Sequence, residues 1–179
     1  MKCPNCKSAV LSATKLEAGL PAMGCPQCKG ALVSLLYYRD WAERVSFPES
    51  ETGEDIKLEE VSDNNAGQLC PKCGRIMSKY RISGSVTNKI DYCVACDEAW
   101  LDGGEWELLK ALKLGDKIPT VLSDKWQRHV RHEASEQKWT DRLIKQVGQK
   151  SAAKAQEFRE WVINHPNKSE ILFYLSHEE

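Results

Sequence analysis

The sequence predicts a small metal-stabilised α+β fold: two cysteine-built ribbons, each a β-hairpin with a short helix, followed by a helical C-terminal region. Three observations predict it. All eight cysteines fall into four Cys-x-x-Cys pairs, and the pairs form two sets. In the first set, Cys3-Pro-Asn-Cys6 and Cys25-Pro-Gln-Cys28 are separated by 18 residues; in the second, Cys70-Pro-Lys-Cys73 and Cys93-Val-Ala-Cys96 are separated by 19. Beyond the second set, the chain runs from Thr120 to about Asn164 without a proline and with one glycine, Gly148. Zn²⁺ takes four thiolates in a tetrahedron, and two knuckles with this spacing supply them without a large core. The expectation is two zinc ribbons and two Zn²⁺ per chain, one on Cys3, Cys6, Cys25 and Cys28, the other on Cys70, Cys73, Cys93 and Cys96.

Other uses of the cysteines fit less well. Disulfides need an oxidising compartment, and the Met-Lys-Cys start has no apolar leader segment; no apolar run near 18 residues suggests a membrane span. A thioredoxin-like pair occurs once, beside a βαβ pattern, rather than four times. An iron–sulfur cluster also takes four thiolates and stays open at this stage, although Cys-Pro-x-Cys knuckles favour zinc. With all four ligands from protein, each zinc site is closed to water and therefore structural. A cytoplasmic protein is expected.

Four regions follow: a first ribbon over 1–45, an acidic linker over 46–68, a second ribbon with its helix over 69–115, and a helical region over 120–179. In the first ribbon, Val10–Leu16 reads as a strand and Glu17-Ala-Gly19 as its turn; Lys-Gly-Ala-Leu-Val-Ser-Leu-Leu then leads into a helix with aromatics. In the second, Met77–Ile82 and Val86–Tyr92 alternate as a hairpin with Ser83-Gly84 at the turn. Gly74 suits a positive φ just after its knuckle, where the first ribbon has Lys7. Ribbons this small bury little, so metal supplies much of their folding free energy. The linker is rich in Glu and Asp and poor in apolar residues, as a solvated tether is.

Cys70-Pro-Lys-Cys73-Gly74, Ile90-Asp-Tyr-Cys93-Val-Ala-Cys96 and Ala99-Trp100-Leu101-Asp102-Gly-Gly-Glu105 together resemble the bacterial TFIIB-type zinc-ribbon family over residues 70–112. The resemblance implies the zinc ligands Cys70, Cys73, Cys93 and Cys96. The chain departs from the family at Asp97-Glu98, where glycine is usual, and the first ribbon lacks the Trp-Leu-Asp run.

After that run, Asp102 is placed to cap a helix and Glu105 to complete a capping box. Trp106, Leu109 and Leu112 share a face, Gly115 is a candidate stop, and Trp100 and Trp106 read as packing residues. Further on, Leu122, Trp126 and Val130, then Trp139, Leu143 and Val147, then Phe158 and Val162 form apolar stripes. They predict one helix kinked near 135–138 or 148–151, or two helices, ended by His165-Pro166, with Ser169 capping a last apolar segment. These stripes should be buried against another helix, a ribbon or a second copy of the chain, which makes a homodimer through the C-terminal helices one expected arrangement.

The net charge is −1, and eight thiolates with two Zn²⁺ bring it to −5, which disfavours indiscriminate nucleic-acid binding. A local basic surface exists nonetheless at Lys125, Arg128, Arg131, Lys138, Arg142 and Lys145. Its two readings are a solvated helix face or phosphate contact. His129 and His132 lack metal-ligand spacing. No catalytic motif appears. The sequence therefore reads as a non-enzymatic adaptor recognising a protein or macromolecular complex. Nucleic-acid binding, or transcription-associated work, through the basic helix is one alternative; thiol redox or zinc sensing is another.

Overall fold

The computed structural model describes residues 1–45 and 66–177, so the acidic stretch lies outside the described residues except for its last three. The chain divides into two compact units, 1–132 and 133–179.

The first unit is built on one antiparallel sheet. Its strands are β1 (Ser12–Glu17), β2 (Leu20–Gly24), β3 (Ala31–Ser34), β4 (Ser78–Arg81), β5 (Lys89–Cys93) and β6 (Glu98–Leu101), in the spatial order β1-β2-β3-β6-β5-β4. The expectation of two separate hairpins is therefore too small. Each ribbon has a third strand directly after its second knuckle, and these two strands pair with each other. Ala31 lies opposite Leu101, Leu32 opposite Trp100, Val33 opposite Ala99 and Ser34 opposite Glu98. Leu32 and Trp100 each stand four residues past the last cysteine of their own set. Outward from this pair the strand order is the same in both ribbons: third, second, first. Four-residue strands buried on both faces carry no alternation of polarity, which is why the pattern alone reads them as a turn and an apolar pair.

The alternation on β3 and β6 sorts the sheet into two faces. Ala31, Val33, Ala99 and Leu101 point into a core shared with Leu35, Tyr38 and Trp41 of α1 (Leu35–Arg44), with Trp106, Leu108 and Leu109 of α2 (Glu105–Ala111), and with Ile118 and Val121 of α3 (Ile118–Val121). Leu32 and Trp100 point the other way and pack with Cys3, Leu11, Cys25, Cys70, Met77 and Cys93. Trp100 and Trp106 are both buried, as packing residues should be.

Polar ties cross between the ribbons on the helical face. Arg39 of α1 makes a two-pronged ion pair with Asp97 at 2.6 and 3.1 Å, and the backbone N–H of Leu35 donates to Asp97 O. Tyr38 Oη donates to Gly115 O and accepts from the Ile118 N–H. Lys110 Nζ and Trp106 Nε1 both donate to Glu17 Oε2. The Lys110 contact is the main reason the Glu17 carboxyl sits below its ordinary range.

Turns and caps follow the sequence in part. Gly19 makes the β1–β2 turn at φ 79°. The β4–β5 connection is longer than a Ser83-Gly84 turn: Ile82 N–H donates to Asn88 O, and Val86 is buried in the core rather than paired. Glu105 closes half of the expected capping box, accepting from the Asp102 N–H at 2.8 Å. Helix α2 ends at Leu112 with Lys113 at φ 57°, so Gly115 is not its stop. At the outer edge, Gln127 of α4 (Asp124–Val147) accepts from the Arg81 N–H and donates to Arg81 O, pairing the edge backbone as a neighbouring strand would.

In the second unit, residues 133–147 of α4 form an antiparallel hairpin with α5 (Gln149–Asn164). Gln156 bonds Thr140 and Arg159 reaches Glu136. Gly148, at φ 79°, breaks the helix within one of the two places where a kink was expected. His165 ends α5 ahead of Pro166. The last helix, α6 (Lys168–Ser176), follows Asn167 rather than Ser169. Within a single chain the apolar stripes are only partly covered. Val162 and Ala152 are buried, but Trp139 is 69% exposed, and Val147 and Phe158 are also exposed.

Gly30 tests the close packing of the ribbons. A Cβ there would lie 2.4 Å from Trp100 Cζ2 and 3.0 Å from Leu101 O. Gly30→Ala should lower unfolding stability by about 1–3 kcal/mol, read as a lower urea midpoint at unchanged slope. An unchanged midpoint would mean that β3 and β6 are not packed as described.

Candidate metal centres

Each centre is made by two knuckles that hold their cysteines through backbone geometry. After each second cysteine stands one residue in the left-handed region: Lys7 at φ 62°, Lys29 at 61°, Gly74 at 70° and Asp97 at 54°. That turn brings the N–H of the residue at this place back onto the carbonyl of the first cysteine in three knuckles: Lys7 to Cys3, Lys29 to Cys25 and Gly74 to Cys70, at 2.8–3.0 Å. Only Gly74 is a residue that favours this conformation outright. Asp97 is held there by Arg39 and by the Tyr92 hydroxyl, which donates to Asp97 Oδ1 at 2.8 Å. This explains how the chain dispenses with glycine at that position.

The two sets converge as the spacing predicts. In each of Cys3, Cys6, Cys25, Cys28 and Cys70, Cys73, Cys93, Cys96, all four sulfurs lie within 4.8 Å of one another. The Sγ–Sγ separations include 3.6 Å for Cys3–Cys28, 3.9 Å for Cys6–Cys25 and 3.6 Å for Cys73–Cys93. A tetrahedron with metal–sulfur bonds of about 2.3 Å has edges of about 3.8 Å. The sulfurs are thus set for one tetrahedral cation each. They are too far apart for a disulfide, whose S–S length is about 2.05 Å, and all eight are free thiols. They are too close together to surround a sulfide-bridged cluster of several irons.

The proton chemistry of the sets shows what a cation supplies. Backbone N–H of Arg75 is the largest influence on Cys73 and brings it to about 7. Burial works against the Cys25 thiolate, but the N–H groups of Cys28 and Gln27 outweigh it and also bring it to about 7. Two thiols in each set resist ionisation. Burial pushes Cys3, Cys28 and Cys70 up, and its hydrogen bond with Cys73, followed by burial, takes Cys96 to about 12. One thiolate per set forms readily and the next ones repel it. A divalent cation removes that repulsion, so binding releases protons and weakens as pH falls.

Around the first set, Asn5 Nδ2 reaches Asp102 Oδ1 at 3.4 Å, and Trp100 Nε1 donates to the same oxygen at 2.9 Å. A knuckle residue of one ribbon is thereby tied to the strand and helix start of the other. Sequence reasoning gave Asp102 a capping role and missed this tie; its only signal was a second polar residue inside the Cys-Pro-Asn-Cys knuckle. Gly103 sits against the same region, where a Cβ would lie 2.4 Å from Cys28 O. The second set is the more open: Cys73 is exposed while Cys70 and Cys93 are buried. Lys72 of its first knuckle donates to the buried carboxylate of Glu98.

The two sets contain no histidine, and His129 and His132 lie exposed on α4. The six basic residues singled out on α4 are all exposed: Lys125, Arg128 and Arg131 in the first unit, Lys138, Arg142 and Lys145 in the second. No described helix is long and apolar enough to cross a membrane. No family model, curated protein or solved structure matches the chain.

Two experiments follow from this geometry. Native mass spectrometry of gently purified protein should show two metal ions per chain, and Cys73→Ser should show one. Retention of two by the variant would break the second set as drawn. Chelation should strip hydrogen-exchange protection from β1–β6 while leaving the α4–α5 hairpin of residues 133–164 protected to its former extent. Full protection of the sheet after metal removal would show that its folding does not need the cations.

Proposed function

We propose that each cysteine set holds one Zn²⁺ and that both ions are structural. The observation that supports this is closure: four protein thiolates fill each tetrahedron, so no position remains for water or substrate. On this reading the protein is a non-enzymatic adaptor, a zinc-built platform that recognises a protein or macromolecular complex. A reducing, cytoplasmic setting suits eight free thiols. Membership of the TFIIB-type zinc-ribbon family remains part of the proposal, carried by the residue run from Cys70 to Glu105.

The helical unit supports an interaction role. Among the described residues, nine of the sixteen exposed large hydrophobics lie in residues 133–177, including Trp139, Phe158 and Trp161. Monomers rarely leave so much apolar surface uncovered. Six exposed cations on α4 favour a second reading, binding to nucleic acid by phosphate contact. Isolation of the tagged protein from its native cell, with and without nuclease, separates them. The adaptor reading expects a stoichiometric protein partner in both arms. Material that disappears with nuclease, and whose binding weakens steeply with salt, would replace it with the nucleic-acid reading.

A further inference from the structure

The two metal centres differ in how far solvent reaches them. In the first set, Cys3 and Cys25 are buried and Cys6 and Cys28 are half-buried. In the second, Cys70 and Cys93 are buried, Cys96 is half-buried and Cys73 is exposed. Cys73 is the one exposed ligand of the eight. The turn that follows adds no cover: a Cβ on Gly74 would meet no atom within 4 Å. The second knuckle of the first set is closed by comparison, since a Cβ on Gly103 would lie 2.4 Å from Cys28 O. The sulfur most open to a small reagent therefore belongs to the second set.

Behind Cys73 stands a shielded sulfur. Cys93 Sγ lies 3.6 Å from Cys73 Sγ and its residue is buried. An exposed thiolate with a shielded one behind it is the arrangement in which the first meets an oxidant and the second resolves the product. Coordination does not remove this chemistry, because the form of cysteine that binds a cation is the nucleophilic thiolate. Cys93 also ends β5 and pairs with Glu98 of β6, which in turn pairs with Ser34 of β3. A change at Cys93 is thus made beside the strand pair that joins the ribbons.

We propose that Cys73 is a site of oxidation by hydroperoxides, with Cys93 as its resolving partner, and that the reaction expels the cation of the second set. The proposal rests on the zinc reading above. The Cys73 thiolate attacks one oxygen of hydrogen peroxide; the O–O bond breaks, hydroxide leaves, and Cys73 becomes a sulfenic acid. The Cys93 thiolate attacks that sulfur; the S–O bond breaks, a second hydroxide leaves, and the disulfide forms. The two sulfurs give up two electrons, the peroxide takes them, and two protons from solvent turn the hydroxides into water. Cys70 and Cys96 alone leave the tetrahedron half-empty, and Zn²⁺ departs. The end of β5 against β6 then loosens. A dithiol with added Zn²⁺ restores the set.

The test treats the full zinc-loaded chain with hydrogen peroxide and follows cysteine alkylation under denaturing conditions, free zinc by a coloured indicator, and hydrogen exchange. Cys73 and Cys93 should be the first to resist alkylation, joined as one disulfide, while Cys3, Cys6, Cys25 and Cys28 remain thiols. Zinc release should rise in step with that disulfide, and β5 and β6 should lose protection. Dithiothreitol with zinc should reverse all three changes. Cys73→His keeps a nitrogen ligand and removes the oxidisable sulfur, so it should release zinc at least about 10-fold more slowly. The wild-type mapping decides the matter whether or not this variant loads two ions. In a chain carrying two zinc ions, four results would each overturn this proposal alone: a Cys73 that stays reduced or joins another cysteine, first-set cysteines oxidised as fast as Cys73, zinc release without the disulfide, or a loaded histidine variant that releases zinc as fast as wild type. A chain without zinc before peroxide is added would overturn the zinc reading, and this proposal with it.

Discussion

Repulsion among four thiolates held within 4.8 Å is the constraint on which the first unit depends. A set packed this tightly does not ionise fully by itself, because burial and neighbouring sulfurs favour the protonated form of Cys3 and Cys28 in one set and of Cys70 and Cys96 in the other. Only a cation at the centre makes four thiolates compatible. The sheet is arranged around that requirement. Cys3, Cys25, Cys70 and Cys93 share one apolar cluster with Leu32 and Trp100, on the face opposite the helical core. Neither centre is peripheral to the fold: each closes one half of the same face.

The pairing of β3 with β6 turns two ribbons into one body. A single ribbon would leave its third strand as an open edge. Here each third strand covers the other, with Leu32 opposite Trp100 at the centre. Small residues make the fit possible. Gly30 leaves room for the Trp100 ring and Gly103 for the Cys28 carbonyl. Ion pairs and hydrogen bonds from Arg39, Glu17 and Asn5 then reach across from the first ribbon to the second. Loss of metal from one set should therefore be felt by the other through the β3–β6 pairing.

The cysteine chemistry was legible from sequence because ligand type and spacing state it directly. The first strands, the helices after each second knuckle and the break at Gly148 were legible for similar reasons of turn chemistry and periodicity. The shared sheet was not. Ala31–Ser34 and Glu98–Leu101 are too short for a period to show, and their partners lie far away in sequence. The left-handed Asp97 was marked only as a departure from glycine; its support by Arg39 and Tyr92 is a tertiary fact. Trp139 was expected to be covered by another helix, a ribbon or a second copy, and within one chain it lies exposed, because a stripe reveals an apolar face without revealing what covers it.

Zinc titration of the chelated protein tests the central claim most directly, followed by native mass spectrometry and by hydrogen exchange of the β3 and β6 amides. Two centres joined through one sheet predict a cooperative filling. At half saturation, the chains should be mostly empty or doubly loaded, and β3 and β6 should gain protection together. A dominant one-zinc species with only one ribbon's strands protected would contradict the account and return the protein to two independent ribbons on a string.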